Sequence, residues 1–248
     1  MSHYTNERAF SLPGYEIYFT RFADSIIKDH FTDARNELSR ILNAFYIKEG
    51  DVVKGGGGLS SITQALGKLL NDEGWTKKII ESSLHVGQKV LPSKSHEVDH
   101  YKTFERGSIG VEIEWNNKDP FYDRDLENFR KIHQIGELSL GVIITRGTSL
   151  QNELINVFER SLSSLDVLDM PNILSLMSLS DNAKEKIKDT LINVPKDKAA
   201  KTISNLMRSS KFGTATTHMA KLLLRIDRGV GDPCPFILIG IGKERLLP

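Results

Sequence analysis

Cysteine is almost absent: the single thiol, Cys234, rules out an internal disulfide framework, and its place before the apolar run Phe236-Ile-Leu-Ile-Gly-Ile241 points to buried packing rather than a reactive thiol. Also missing are a charged-then-apolar leader and any apolar stretch long enough to cross a bilayer, so a cytoplasmic protein with no membrane partner is expected. An excess of charge of one sign is lacking too. The 33 basic and 32 acidic side chains leave a formal +1, so affinity for nucleic acid must arise from local clustering. No internal repeat is visible.

At 248 residues the chain can bury one substantial core. We read a single domain: an N-terminal helical part over 1–74, a core over 75–148, a helical insertion over 149–212, and a last helix and strand over 213–248. From Ile17 to Phe45 apolar residues recur at helical spacing, among them Phe22, Ile26, Phe31, Leu38 and Leu42, which predicts one or two helices. Lys54-Gly-Gly-Gly-Gly58 interrupts before Ser60 caps another helix through Leu70. Such glycines can let backbone amides approach a phosphate. The loop lacks the Gly-Lys-Ser/Thr ending of a nucleotide-binding loop, however, so a flexible connector is the plainer reading. Asp119-Pro120 starts a helix from Tyr122 to Ile135 with Leu126, Phe129 and Ile132 as its inward stripe. Leu140 to Thr145 then reads as a buried strand, and its arrival after a crossover helix favours parallel pairing with the strand before that helix.

That earlier strand carries the chemistry. In Ser108-Ile-Gly-Val-Glu-Ile-Glu-Trp-Asn-Asn117 the alternation puts Glu112 and Glu114 on one face and Ile109, Val111, Ile113 and Trp115 on the other. Asp99 precedes them in His96-Glu-Val-Asp-His-Tyr-Lys102, so three carboxylates can meet at one end of a sheet. Mg²⁺ is held in this way, by one or two carboxylates with substrate phosphate oxygens and water. Taken alone, Glu-x-Glu on an amphipathic strand is a solvated face. A rival motif overlaps it: His96-Glu-Val-Asp-His100 fits H-E-x-x-H, the zinc pattern that requires a helix, and a zinc hydrolase using His96 and His100 is one alternative.

An acidic residue, a gap and then Glu-x-Glu on a strand resembles the PD-(D/E)xK nuclease motif in the variant whose final lysine is replaced. Val98 to Phe104, Gly110 to Glu114, Asp119 to Leu126, Gly141 to Arg146 and Arg228 to Ile241 are together similar to blocks of the BamHI/BglII/BstYI group of type II restriction endonucleases. The resemblance implies an α/β restriction-endonuclease-like core, a central mixed β-sheet flanked by helices, with the helical segment 149–212 added. It implies Mg²⁺-dependent hydrolysis of both strands of double-stranded DNA at a short palindromic site, with GATC as the leading core. It further implies a homodimer and a cognate DNA methyltransferase in the same host. Asp99 and Glu112 would ligate metal, Glu114 would ligate it or activate the attacking water, and Glu81 would be an additional catalytic glutamate. A nuclease fold kept only as a catalytically inactive DNA-binding module is the other alternative.

Several side chains are candidates for DNA contact. Asn116, Asn117, Lys118 and Arg124 follow the carboxyl end of the strand, where amides can read adenine edges and cations can read guanine or hold phosphate. Arg146 is a candidate phosphate clamp, and Thr216, Thr217 and His218 stand where a helix N-terminus could bind phosphate. Turn chemistry, ion pairing and plain capping are the respective bland readings. Lys221, Arg225 and Arg228 form a basic cluster that a solvated helix face explains equally well.

Overall fold

The three strongest apolar strands of the sequence form the centre of a six-stranded sheet. The computed structural model describes residues 4–5, 10–81, 83–92 and 96–248. In chain order it shows β1 (Tyr15–Phe19), α1 (Ala23–Asp29), α2 (Thr32–Ala44), β2 (Ile47–Lys48), α3 (Glu49–Lys54) and α4 (Ser61–Asp72). The hairpin-rich middle follows: β3 (Thr76–Ile80), β4 (Ser83–Val86), β5 (Lys89–Pro92), β6 (His96–Phe104) and β7 (Gly107–Glu114). Then come α5 (Phe121–Gln134), β8 (Leu140–Arg146), α6 (Thr148–Ser163), α7 (Met170–Leu176), α8 (Asp181–Asn193), α9 (Lys196–Lys211), α10 (Met219–Ile226), β9 (Phe236–Ile241) and β10 (Leu246–Leu247).

The main sheet runs β1-β9-β8-β7-β6-β3. Strands β7, β8 and β9 are parallel, and β1, β6 and β3 are added antiparallel at the two sides. The predicted β-α-β centre is therefore present, with Glu112 opposite Ile143 and Glu114 opposite Thr145. This is the α/β, restriction-endonuclease-like arrangement that the sequence implies.

Each sheet face is buried under helices, which is why β9 and β8 as far as Ile144 are apolar and both strands are buried throughout. Ile109, Val111 and Ile113 of β7, with Trp115 just past its end, join the larger core with α2, α4 and the helices of 149–212, through Phe158, Ile187, Ile203 and Phe212. The opposite face packs on α5 and α10 through Tyr122, Leu126, Phe129, Leu222 and Phe236. Glycine sets how close α5 comes. A Cβ on Gly110 or Gly141 would lie 2.7 or 2.9 Å from the Phe129 ring, so the two glycines let that ring rest on the backbone of β7 and β8.

One expectation fails at the N-terminus. Tyr15 to Phe19 is an edge strand and not the start of a helix, because Tyr-Glu-Ile-Tyr-Phe alternates with Ile17 and Phe19 turned to the core. The helical periodicity begins only at Ala23. Ser60 does cap α4, its hydroxyl accepting from the Thr63 amide.

Candidate catalytic cleft

Antiparallel pairing of β6 with β7 sets His100 opposite Val111, so Asp99 and Glu112 are neighbours one step further along. A bulge then decides where Asp99 points. Between the pairs Thr76–Tyr101 and Lys78–Val98, β3 advances by two residues and β6 by three, which inserts one extra residue into β6 and reverses its alternation. His96, Val98 and Tyr101 thus share the α5 side, while the His100 ring lies against Gly67 of α4 on the other side. H-E-x-x-H here lies on a strand, its two histidines ~13 Å apart along the chain and on opposite faces, which removes the zinc hydrolase reading.

A cleft of about 400 Å³ opens between the β6–β7 edge and α5, lined by His96, Glu97, Asp99, Glu112, Arg124, Asp125, Asn128 and Lys131. Asp99 is exposed at its mouth and Glu112 is 5% exposed at its floor. The Asp99 amide donates to Glu112 Oε1 at 3.2 Å. Burial, and then the carboxyls of Asp125 and Asp99, raise the Glu112 pKa well above the ordinary range. Glu114 sits one step deeper. Asn117 Nδ2 donates to its Oε2 at 2.8 Å, and Arg124 stands 3.8 Å from its Oε1. Its pKa is likewise raised, by burial first and then by Asp125, with Asn117 and Arg124 opposing.

Asp125 was not singled out by sequence reading. It is 4% exposed, its Oδ1 accepts from Arg124 Nε at 2.7 Å, no N–H or hydroxyl donates to its buried Oδ2, and its carboxyl hydrogen-bonds with that of Glu114. The signal for it is a carboxylate at the fourth position of the stripe Tyr122, Leu126, Phe129 that buries α5 against the sheet. Glu81, by contrast, is exposed just past the end of β3 and does not line the cleft.

The expected DNA-contact residues divide into two groups. Lys118 is exposed, and Arg124 has a side chain 61% exposed that stacks on Phe121 at 4.4 Å. The others form a satisfied corner beyond the ends of β7 and β8. Arg146, expected as a phosphate clamp, is instead fully enclosed. It donates to the Trp115 carbonyl, Asn116 Oδ1, Gln151 Oε1 and Thr216 Oγ1, with its guanidinium 4.7 Å from the Phe212 ring centroid. Burial brings its pKa down to about 9. Asn116 Nδ2 donates to the Lys211 carbonyl. Thr217 is buried, and its hydroxyl accepts from the Asn117 amide at 3.1 Å. Burial, and then Arg146 and Lys221, push His218 down to about 4, so it is neutral near pH 7 and not a phosphate cation. Two members of the basic cluster are paired as well, since Arg225 bridges Asp119 and Asp123 and Lys221 reaches Asp119, while Arg228 is exposed.

The glycine loop is less of a free connector than its composition suggests. The Gly58 amide donates to Asn117 Oδ1 at 3.1 Å, and a Cβ on Gly57 would meet the same oxygen at 2.5 Å. Asn117 is thereby held between the loop and Glu114.

Apart from His96, the ligating groups that line the cleft are carboxylates, which suit a hard divalent cation, and Asp125 Oδ2, which no N–H or hydroxyl meets, fits such a ligand. Among the described residues no three His, Cys, Asp or Glu side chains already converge closely enough to hold one ion. Like charges this close separate in the absence of a cation, so the carboxylates would have to draw in on binding. Among the described residues no helix is long and apolar enough to cross a membrane.

The family profile described as Restriction endonuclease BglII/BglIII matches residues 15–241. No curated protein matches the chain.

Proposed function

Because the chain belongs to the BglII/BglIII restriction endonuclease family, and is thus a type II restriction endonuclease acting on double-stranded DNA, we propose that it cleaves both strands of a palindrome using Mg²⁺ held at Asp99 and Glu112. Enzymes of this kind generally use a divalent metal. One observation carries the assignment of the site. Glu112 is buried at the floor of the cleft against Asp99 and Asp125, and among the described residues it has no ion pair with a lysine or arginine. An arrangement so costly without a ligand is the expected form of a cation site. It also disfavours the inactive DNA-binding alternative, which has no use for the strain.

Mg²⁺, when bound, supplies Lewis acidity toward the phosphate and a water of lowered pKa. The chain does the rest. Asp99 and Glu112 would hold the ion from the mouth and floor of the cleft. Asn117 occupies Glu114 Oε2, leaving Oε1 free to turn toward the cleft, where, once the carboxyl is ionised, it would bind the ion or take the proton of the attacking water. Water adds to phosphorus as the bond to the leaving oxygen breaks. Lys118, exposed beyond the end of β7, and Arg124, exposed on the cleft lining, would hold the flanking backbone.

A two-fold protein is the geometric partner of a palindrome, so the active form is a homodimer, with GATC at the centre of its site. A host that carries such an enzyme in its cytoplasm would protect its own DNA with a cognate methyltransferase. The test is direct. Purified protein is incubated with Mg²⁺ and DNA of known sequence, and the ends are mapped. Paired ends at one palindrome are expected, and intact DNA or scattered nicking would reject the proposal.

A further inference from the structure

We infer that Asp125 is a further ligand of the cation in this cleft, a carboxylate set on α5 facing the two on β6 and β7. The inference rests on the cation reading above. Three independent features carry it. First, no N–H or hydroxyl donates to the buried Asp125 Oδ2, and its hydrogen bond with the Glu114 carboxyl lasts only while one of the two holds a proton, while the residue lines the same cleft as Glu112 and Asp99. A desolvated carboxylate oxygen without a donor is unfavourable unless something else comes to it. Second, its position is fixed. Phe129, one turn further along α5, rests on the sheet where Gly110 and Gly141 make room, so the Asp125 side chain cannot be withdrawn without lifting the helix.

Third, a cation already stands there. Arg124 donates to Asp125 Oδ1 at 2.7 Å and lies 3.8 Å from Glu114 Oε1, placing one positive charge against two buried carboxyls. Its side chain is otherwise largely in solvent, packed on the Phe121 ring. A pair with so exposed a partner gives little reason to bury an aspartate. We read the guanidinium as a place-holder, which leaves for DNA phosphate when the divalent ion arrives. Asp125 would then be free to ligate the ion beside Glu112 and Asp99.

The experiment uses Ca²⁺ titrated into the metal-free protein, followed by calorimetry and by the shift in melting temperature. Asp125→Asn preserves shape and removes the charge. It should weaken Ca²⁺ binding by about tenfold or more and shrink the Ca²⁺-induced shift, while melting higher than wild type without metal. Unchanged Ca²⁺ affinity in a folded Asp125→Asn protein overturns the inference, whatever its melting temperature. If that variant does not fold, Arg124→Gln decides. Removing the competing guanidinium should tighten Ca²⁺ binding, and a weaker or equal affinity overturns the assignment. The underlying cation reading fails separately, in that wild type would then show no Ca²⁺ response, or Glu112→Gln would keep a full one.

Discussion

Two buried polar clusters lie side by side at the end of β7 and β8, and they are built on opposite plans. In the corner around Arg146, one charge is surrounded by acceptors: the Trp115 carbonyl, Asn116, Gln151 and Thr216 take its donors, and Thr217 and Asn117 close the ladder. In the cleft, Glu112, Glu114 and Asp125 bring charge of one sign together, and one carboxylate oxygen is left without a donor. A satisfied cluster has no need of a ligand and serves as structure, whereas an unsatisfied one is stable only if something binds. Burial of charge alone does not separate the two; completion of the hydrogen bonds does.

The largest effect should come from the incomplete cluster. Glu112→Ala is expected to lower DNA cleavage in Mg²⁺ by on the order of 10³-fold or more, as loss of a metal ligand removes several kcal/mol of charge stabilisation. Specific DNA binding measured in Ca²⁺ should be largely spared. Retained cleavage by this variant would mean that the cleft is not where the chemistry happens. The complete cluster should behave in the opposite way. Arg146→Met leaves the Trp115 carbonyl, Asn116 Oδ1 and Gln151 Oε1 without their donor, at a cost of about 3 kcal/mol of unfolding free energy in a urea titration. Unchanged stability with a reduced salt dependence of DNA binding would instead restore Arg146 as a phosphate contact and erase the distinction.

The contrast was only half legible in the sequence. Period-2 alternation gave β7 and put Glu112 and Glu114 on one face, because its apolar residues Ile109, Val111 and Ile113 all fall on the face that meets the larger core. The parallel partner β8 followed from the crossover helix. Asp99 was legible as a residue but its direction was not, since the bulge in β6 arises from pairing with β3 and leaves no mark in local composition. Arg146 was misread for a related reason: three of its four acceptors come from segments 30 to 70 residues away, so sequence showed only a cation after a strand. Asp125 could have been found, as a carboxylate on an apolar helix stripe. β1 was obscured because helical spacing from Ala23 onward was extended backward across a five-residue strand.

Acidity offers a finer test of the unsatisfied cluster. Burial first, and then neighbouring carboxyls, raise both glutamates, so the folded protein holds protons that the unfolded chain releases. Stability from these groups is therefore complete below the ordinary value of 4.5 and is lost as pH climbs toward about 9, where Glu114 titrates. Without metal, unfolding free energy should fall across that window by up to about 1.4 kcal/mol per pH unit for each proton involved. Glu112→Gln should be shallower, and saturating divalent cation should flatten the wild-type curve. A flat curve in metal-free wild type would show that the cleft does not hold its acids protonated.

The smallest effect tests the thread between the glycine loop and the cleft. A Cβ at Gly57 would meet Asn117 Oδ1 at 2.5 Å, and Asn117 is the donor that fixes Glu114 Oε2. Gly57→Ala should cost only about 1 kcal/mol of stability, because the loop surface can give. Cleavage should nevertheless slow by roughly tenfold, since a small displacement of a positioned group is enough to lose that much rate. Asn117→Ala should slow cleavage at least as far, and the double variant should be no slower than Asn117→Ala alone if the loop acts only through that amide. Additive losses would mean that the glycines touch the substrate themselves, and the loop would then belong with the incomplete cluster rather than with its scaffold.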